Sequence, residues 1–162
     1  MELSFTPLQP EHAGAIVVWS YEPPYDIYNI SPDAADIVIA DMLDPQNHFY
    51  AVLDGDALIG FRSFGPDGQV PGGEYDASCI DTGGGLRPDL TGKGLGAEIL
   101  QKGLEFGARE LGADRFRVTI ATFNQRAIKV CKRVGFEEGQ RFRRPSDRRE
   151  FVVLTAGIGK EG

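Results

Sequence analysis

The sequence predicts a mixed α/β domain, in which one sheet carries both parallel and antiparallel strands and helices pack against it. Three observations carry that prediction. Strand-like and helix-like hydrophobic periods follow one another along 162 residues in the order strand, two helices, three strands, helix, strand, helix, two strands. Two strand-helix units, over 74–111 and 115–134, place their strands side by side and parallel through a right-handed crossover. Hydrophobic residues at 41% and charged residues at 25% are ordinary for a folded chain whose length is that of one domain with a buried core.

Leu3 and Phe5 alternate with polar neighbours as a short first strand, and Pro10 opens a helix through EHAGAIVVWS. YEPPYDIYNI, with two prolines and three tyrosines, predicts a rigid irregular connection. SPDAADIVIADML follows as a second helix, with Ser31 as N-cap and Pro32 at its first position. HFYAVLD and ALIGFRSF are the arms of a hairpin turned at Gly55 and Asp56. Beyond the loop GPDGQVPGG, residues 74–87 form a strand that loosens at Gly83 to Gly85, where glycines signal a bulge or a close backbone approach. Leu95, Ile99, Leu100, Leu104, Ala108 and Leu111 recur at helical spacing, so 94–111 is an amphipathic helix ended by Gly112. RFRVTIATF is a strand, NQRAIKVCKRV a helix stopped by Gly135, and FEEGQRF with REFVVLT a closing hairpin. A ligand belongs at the carboxyl ends of the parallel strands.

A net charge of −7 and a pI near 4.8 argue against nucleic-acid or anionic-membrane partners, and suit a cationic small substrate such as an amine. Cys79 and Cys131 form no C-x-x-C pair, and His12 and His48 lack ligand partners at metal-like spacing, so neither a metal site nor a disulfide framework is expected. The start MELSFTPLQP reads as no signal peptide, and the apolar runs are too short to cross a bilayer, which points to the cytoplasm.

LRPDLTGKGLG, residues 86–96, crowds three glycines and a lysine into one turn ahead of the long helix. Either the glycines permit a tight helix entry, or they clear side chains from a row of backbone N–H groups on which an anion can sit. The first N–H groups of a helix lack intrahelical partners, and its dipole adds about half a positive charge there. A nucleoside-triphosphate loop G-x-x-x-x-G-K-[ST] fails, because Arg87 stands where its first glycine belongs and Gly94 follows Lys93. Gly92, Gly94 and Ala97 match a dinucleotide G-x-G-x-x-A, but five residues separate them from the strand, and the next strand ends TIATFN without an acid for a ribose.

In the helix after residue 123, Asn124 suits the cap, Phe123 and Ile128 the staple positions, and Asn124, Ile128 and Cys131 share a face. L-R-P-D-L-T-G-K-G-L-G, followed one crossover later by N-x-x-A-x-x-V-C-x-x-x-G-F, resembles the two cofactor-binding motifs of the GNAT superfamily of acyl-CoA-dependent N-acyltransferases. The element order agrees over nearly the whole chain. The resemblance implies a mostly antiparallel central sheet with a splayed parallel strand pair, a single N-acetyltransferase-like domain over 1–162, and acetyl-CoA as co-substrate without a metal. It implies that backbone groups around Leu86 and Arg87 pair with the pantetheine arm, that the amides from Gly92 through Lys93, Gly94 and Leu95 to Gly96 hold the pyrophosphate, and that Asn124 fixes the arm from the other side. Thr91 stands where the family usually has Gln or Arg, and Lys93 could compensate. Cys131 stands where the motif often has a tyrosine that protonates the departing thiolate. A thiol of pKa about 8.5 can serve as that donor; the competing reading packs Cys131 as a small apolar residue and leaves the proton to water.

The implied reaction is direct attack of an amine on the acyl carbonyl, with a strand N–H near Leu86 facing the carbonyl oxygen. Asp81 on the glycine-bearing strand is the chosen base and Glu74 the reserve, against the reading of both as exposed strand charges. Trp19, Tyr21, Tyr25 and Tyr28, beside Glu22 and Asp26, form the candidate wall for a cationic acceptor. Arg141, Arg143, Arg144, Arg148 and Arg149 cluster at a turn that reads as a solvated hairpin, an anion contact or a subunit contact, with a homodimer as the assembly considered. The acceptor is a small-molecule or peptide amine. A catalytically inactive acyl-CoA-binding or sensing module is the alternative, and a dinucleotide oxidoreductase the third reading.

Overall fold

The computed structural model describes residues 1–158. Seven strands make one sheet in the order β1 (Leu3–Pro7), β2 (Phe49–Asp54), β3 (Ala57–Phe64), β4 (Ile80–Leu86), β5 (Arg115–Ala121), β7 (Glu150–Gly157), β6 (Glu137–Arg143). Every neighbouring pair is antiparallel except β4 and β5. The helices are α1 (Pro10–Ile16), α2 (Ala35–Leu43), α3 (Gly96–Leu111) and α4 (Gln125–Val134).

Alternation along β2 assigns the helices to opposite faces. Phe49 and Ala51 pack with Ala13, Ile16 and Met42 of α1 and α2, whereas Val52 packs with Ile99 of α3. The largest cluster joins Phe64, Phe116 and Leu154 of the sheet to Leu100 and Leu104 of α3 and Ile128 and Cys131 of α4. Burying side chains of this size stabilises by about 1.5–3 kcal/mol each, enough to fix both helices over the parallel strands.

Those strands meet briefly. β4 and β5 are matched at Ile80 with Phe116 and Asp81 with Arg117, while Gly83 to Gly85 stay paired with β3 alone. At the last matched position Arg117 grips Asp81 with two bonds, Nε to Oδ1 at 2.6 Å and Nη2 to Oδ2 at 2.9 Å. Gln69 adds a third at 3.0 Å, and Arg117 also reaches the Asp76 carboxylate and carbonyl at 3.2 and 2.9 Å. Both partners are buried, at 5% and 6% side-chain exposure. Beyond this clamp the strands diverge.

Three expectations shift. The strand expected from residue 74 begins at Ile80, because the Asp76 carboxylate accepts from the Ser78 backbone N–H at 3.0 Å and folds that stretch into a turn. α1 ends at Ile16, short of Ser20. Ser31 caps nothing with its side chain: a 3-10 turn over Pro32–Ala34 precedes α2, which starts at Ala35. Among the described residues, no helix is long and apolar enough to cross a membrane.

Replacing Asp81 by Asn removes the charge partner of a buried guanidinium, and a loss of about 3–5 kcal/mol is expected. Urea denaturation of D81N checks it; an unshifted midpoint would mean that the clamp does not hold the strand pair.

Candidate active site

A cleft of about 720 Å³ opens where β4 and β5 part. It passes through the sheet. Leu100, Ala127 and Cys131 line it on the α3/α4 side, and Trp19, Tyr21 and Phe61 on the other.

The glycine turn forms one end. Gly92 and Gly94 adopt φ of +72° and +79°, a left-handed conformation that side chains disfavour. No side chain caps the first turn of α3, so its leading N–H groups and the dipole remain available to an anion. Across the cleft, α4 contributes Arg126, Lys129 and Arg133 to the lining, an i, i+3, i+7 stripe. The Arg126 guanidinium comes within 3.4 Å of where a Cβ on Gly92 would stand, and lies 4.1 Å from the Tyr25 ring centroid. A chain of net charge −7 thus lines one side of its cleft with three α4 cations, with Arg126 beside the glycine turn, an arrangement suited to phosphates.

Asp67 marks the opposite side, the one carboxylate among the described lining residues. Its turn, Pro66–Gly68, sits against β4 because Gly68 has no side chain: a Cβ there would be 3.1 Å from the Thr82 nitrogen. The carboxylate accepts from Ser63 Oγ at 3.2 Å. Loss of surrounding water pushes the Asp67 carboxyl above its usual value, Asp41 adds to this, and the Ser63 bond opposes it.

Arg62 lies on the floor between the two ends. Its guanidinium passes over Gly84, where a Cβ would fall 2.6 Å from Cζ, and Nη1 donates to Thr82 Oγ1 at 3.5 Å. Among the described residues no carboxylate lies within salt-bridge distance of it. Burial draws its pKa down while the nearby Cys131 opposes, and burial pushes the Cys131 thiol up to about 11 against the influence of Arg62. Tyr21, pushed up to about 12 by burial, keeps its proton and donates to the Leu86 carbonyl at 2.7 Å.

Of the residues expected to meet a cofactor, Leu86, Thr91, Gly92, Gly94, Leu95, Gly96 and Asn124 line the cleft. Arg87 does not: it is held by Asp89 at 2.7 Å and by the Leu58 carbonyl at 3.1 Å. Lys93 is also outside the lining. Asn124 is engaged at both ends, its oxygen accepting from the Ala127 N–H at 3.1 Å and its Nδ2 donating to Tyr28 at 3.1 Å. All four aromatic residues expected in the acceptor wall line the cleft, whereas Glu22 and Asp26 do not.

The two chosen bases are displaced from it. Asp81 is committed to Arg117 and Gln69 and does not line the cleft. Glu74 lines a separate pocket of about 400 Å³ with Arg117 and Gln140. Sequence reasoning missed Asp67, Arg62 and Arg126. The helical spacing of 126, 129 and 133 could have signalled the last; Asp67 depends on how a loop docks, and nothing local marks Arg62. The arginine turn is a closed hairpin, with Arg144 bound to Asp147 at 2.6 Å and Arg141 to Glu138 at 2.8 Å.

A family profile described as an acetyltransferase (GNAT) domain matches residues 2–137. A mycothiol acetyltransferase of Propionibacterium freudenreichii subsp. shermanii is 30% identical over 107 residues, 64% of this chain and 32% of that protein. The match thus spans about a third of the length of that curated relative. Two solved structures share the fold at 16% identity. The aminoglycoside acetyltransferase AAC(6')-Ib in complex with coenzyme A has a TM-score of 0.75 over 96% of this chain and 94% of that one. A chimera of the spermidine N-acetyltransferase SpeG from Vibrio cholerae and hSSAT has 0.74 over 98% and 96%. The profile runs from β1 to the start of β6, across both the glycine turn and the capped helix that face each other in the cleft, and the chain belongs to the GNAT family of acetyltransferases.

Proposed function

We propose that this protein transfers the acetyl group of acetyl-CoA to a primary amine by direct attack in a ternary complex. The observation that carries the reading is one cleft through the sheet, with a phosphate-suited glycine turn at one end and a lone carboxylate at the other. The Gly92–Gly96 amides, with Arg126, Lys129 and Arg133 opposite, fit a diphosphate and a further phosphate. The unpaired edge of β4 beyond Asp81 offers backbone groups to the pantetheine arm and to the carbonyl oxygen.

Asp67 takes the role first given to Asp81. The acceptor, bound as an ammonium, gives its first proton to solvent; the neutral nitrogen attacks the acyl carbon and passes its second proton to the Asp67 carboxylate, the C–S bond breaks, and the sulfur leaves with the electron pair and is protonated by water. A carboxyl raised by burial is a stronger base than an ordinary one, which suits the step. The acceptor half combines that single carboxylate with Trp19, Tyr21 and Phe61. One carboxylate balances one charge, so an amine with a single positive charge on an apolar body fits better than a polycation.

Calorimetry tests the first part: acetyl-CoA is expected to bind at micromolar concentration and NAD to give no heat. Absence of acetyl-CoA binding would sink the proposal, and binding without thiol release across an amine panel would leave a sensing module. Arg126→Ala is expected to weaken acetyl-CoA about tenfold or more, the loss of one charge-assisted contact.

Asp67→Asn is expected to lower kcat about 100-fold to 10,000-fold. In the native protein kcat/KM rises with pH as the carboxyl ionises, with its inflection above the ordinary carboxylate value, and that limb disappears in D67N. A carboxyl raised in the fold is ionised at a cost above its unfolded pKa of about 3.9, so D67N should unfold no earlier than the native protein at neutral pH. Retained turnover, or a limb that survives, would exclude Asp67 as the base.

A further inference from the structure

The departing sulfur carries negative charge until water protonates it, and the acyl-transfer reading leaves open which group stabilises it. By the motif resemblance, Cys131 stands where a proton-donating tyrosine is often found. Its thiol is buried at 6% exposure and holds its proton up to about 11. A thiol that burial holds in its protonated form is a poor proton donor to a departing thiolate.

Arg62 stands beside it with its charge unanswered. β3 presents Arg62 opposite Gly84, and the missing side chain of Gly84 lets the guanidinium lie across β4. Gly103 of α3 leaves room above, with Nε 3.8 Å from where its Cβ would be. The guanidinium therefore ends at the apex of the splay, where its hydrogen bond is a long one to a neutral hydroxyl, Thr82 Oγ1 at 3.5 Å. A half-buried guanidinium with no carboxylate partner among the described residues is open to an anion in the cleft, whereas Arg117, one strand pair away and fully buried, is already paired with Asp81. An acyl-CoA with its phosphates at the glycine turn and its carbonyl within reach of Asp67 must cross the sheet at this apex. The ligand supplies the anion that the fold withholds.

We propose that the Arg62 guanidinium stabilises the coenzyme A thiolate as the C–S bond breaks, doing by charge what the tyrosine of related motifs does by proton transfer. This rests on the acyl-transfer reading. The nitrogen's proton goes to Asp67, the sulfur leaves with its electron pair beside Arg62, and water protonates it after release. The titratable and charged groups lining this space are Cys131 from α4, Asp67 from the turn after β3, Tyr21, Tyr25 and Tyr28 from the connection after α1, and Arg126, Lys129 and Arg133 along the α4 rim.

The test is the thiol pKa of bound coenzyme A, read from the ultraviolet absorbance of its thiolate across a pH titration, with the desulfo-coenzyme A complex subtracted to remove the protein's own thiols. In the native protein the bound thiol is expected to titrate about one pH unit or more below free coenzyme A. Arg62→Met is expected to return it to the free value or above, and Arg62→Lys to keep most of the shift. With acetyl-CoA, R62M should lower kcat about 100-fold while KM stays within about threefold. A bound thiol that titrates at or above the free value in the native protein overturns the proposal without any variant, as does a shift that R62M leaves unchanged. Failure of coenzyme A to bind overturns the acyl-transfer reading and this step together; binding with an unshifted thiol overturns this step alone.

Discussion

The buried ion pair between Asp81 and Arg117 is the constraint from which the cleft follows. It is bidentate, and Gln69 and Asp76 take up further hydrogen-bonding capacity. Taking two charges out of water costs several kcal/mol per ion, and only such geometry offsets it. Among the described residues no buried side-chain nitrogen or oxygen lacks a partner. The pair sits at the last matched position of β4 and β5, so it fixes where parallel pairing stops and where backbone edges become available to a ligand. A carboxylate so employed is unavailable for proton transfer. The residue that fixes the site's geometry is thereby removed from its chemistry, and the proposed mechanism gives the base role to the loop carboxylate of Asp67.

Charge is distributed by position. The chain carries a formal charge of −7, yet Arg126, Lys129 and Arg133 line the cleft near the uncapped start of α3. Interactions between exposed charges fade beyond about 8 Å at physiological salt, so a phosphate entering the cleft meets the local cations more than the global excess of acids. Net charge argues against polyanionic macromolecules that must lie along an extended basic surface. It says little about a ligand small enough to fit inside one stripe of one helix.

Much of this was legible in the sequence, for physical reasons that also mark its limits. The glycine turn and α4 are local structures, written in backbone freedom at Gly92 and Gly94 and in an Asn124 cap that accepts from the Ala127 N–H three residues on. The aromatic cluster from Trp19 to Tyr28 was legible because a proline-stiffened connection has few other uses for four rings. Asp81 and Asp67 could not be told apart in this way. Both are carboxylates near glycines, and what separates them is a partner 36 residues away in one case and the seating of Gly68 on Thr82 in the other. Arg62 is less visible still, since its place in the cleft depends on the absence of a side chain at Gly84 on the neighbouring strand.

Burial acts on the three central ionisable groups in one sense. It raises Asp67 and Cys131 and lowers Arg62, so each is moved toward its neutral form. For the thiol that form is simply retained. Asp67 and Arg62 meet neutral hydroxyls, Ser63 Oγ and Thr82 Oγ1, in place of counter-ions. In the proposed mechanism the attacking nitrogen answers the first charge as it turns cationic and gives up its proton, and the thiolate answers the second as the C–S bond lengthens. Neither compensation is complete in a neutral thioester awaiting attack; both grow as the reaction proceeds. Interactions that strengthen along that path lower the barrier, whereas those already present in the bound substrate do not. In that mechanism a cleft with Asp67 as the one carboxylate among its described lining residues, and with the Arg62 guanidinium across the parted strand pair, is matched to the separated charges of acyl transfer more closely than to either reactant.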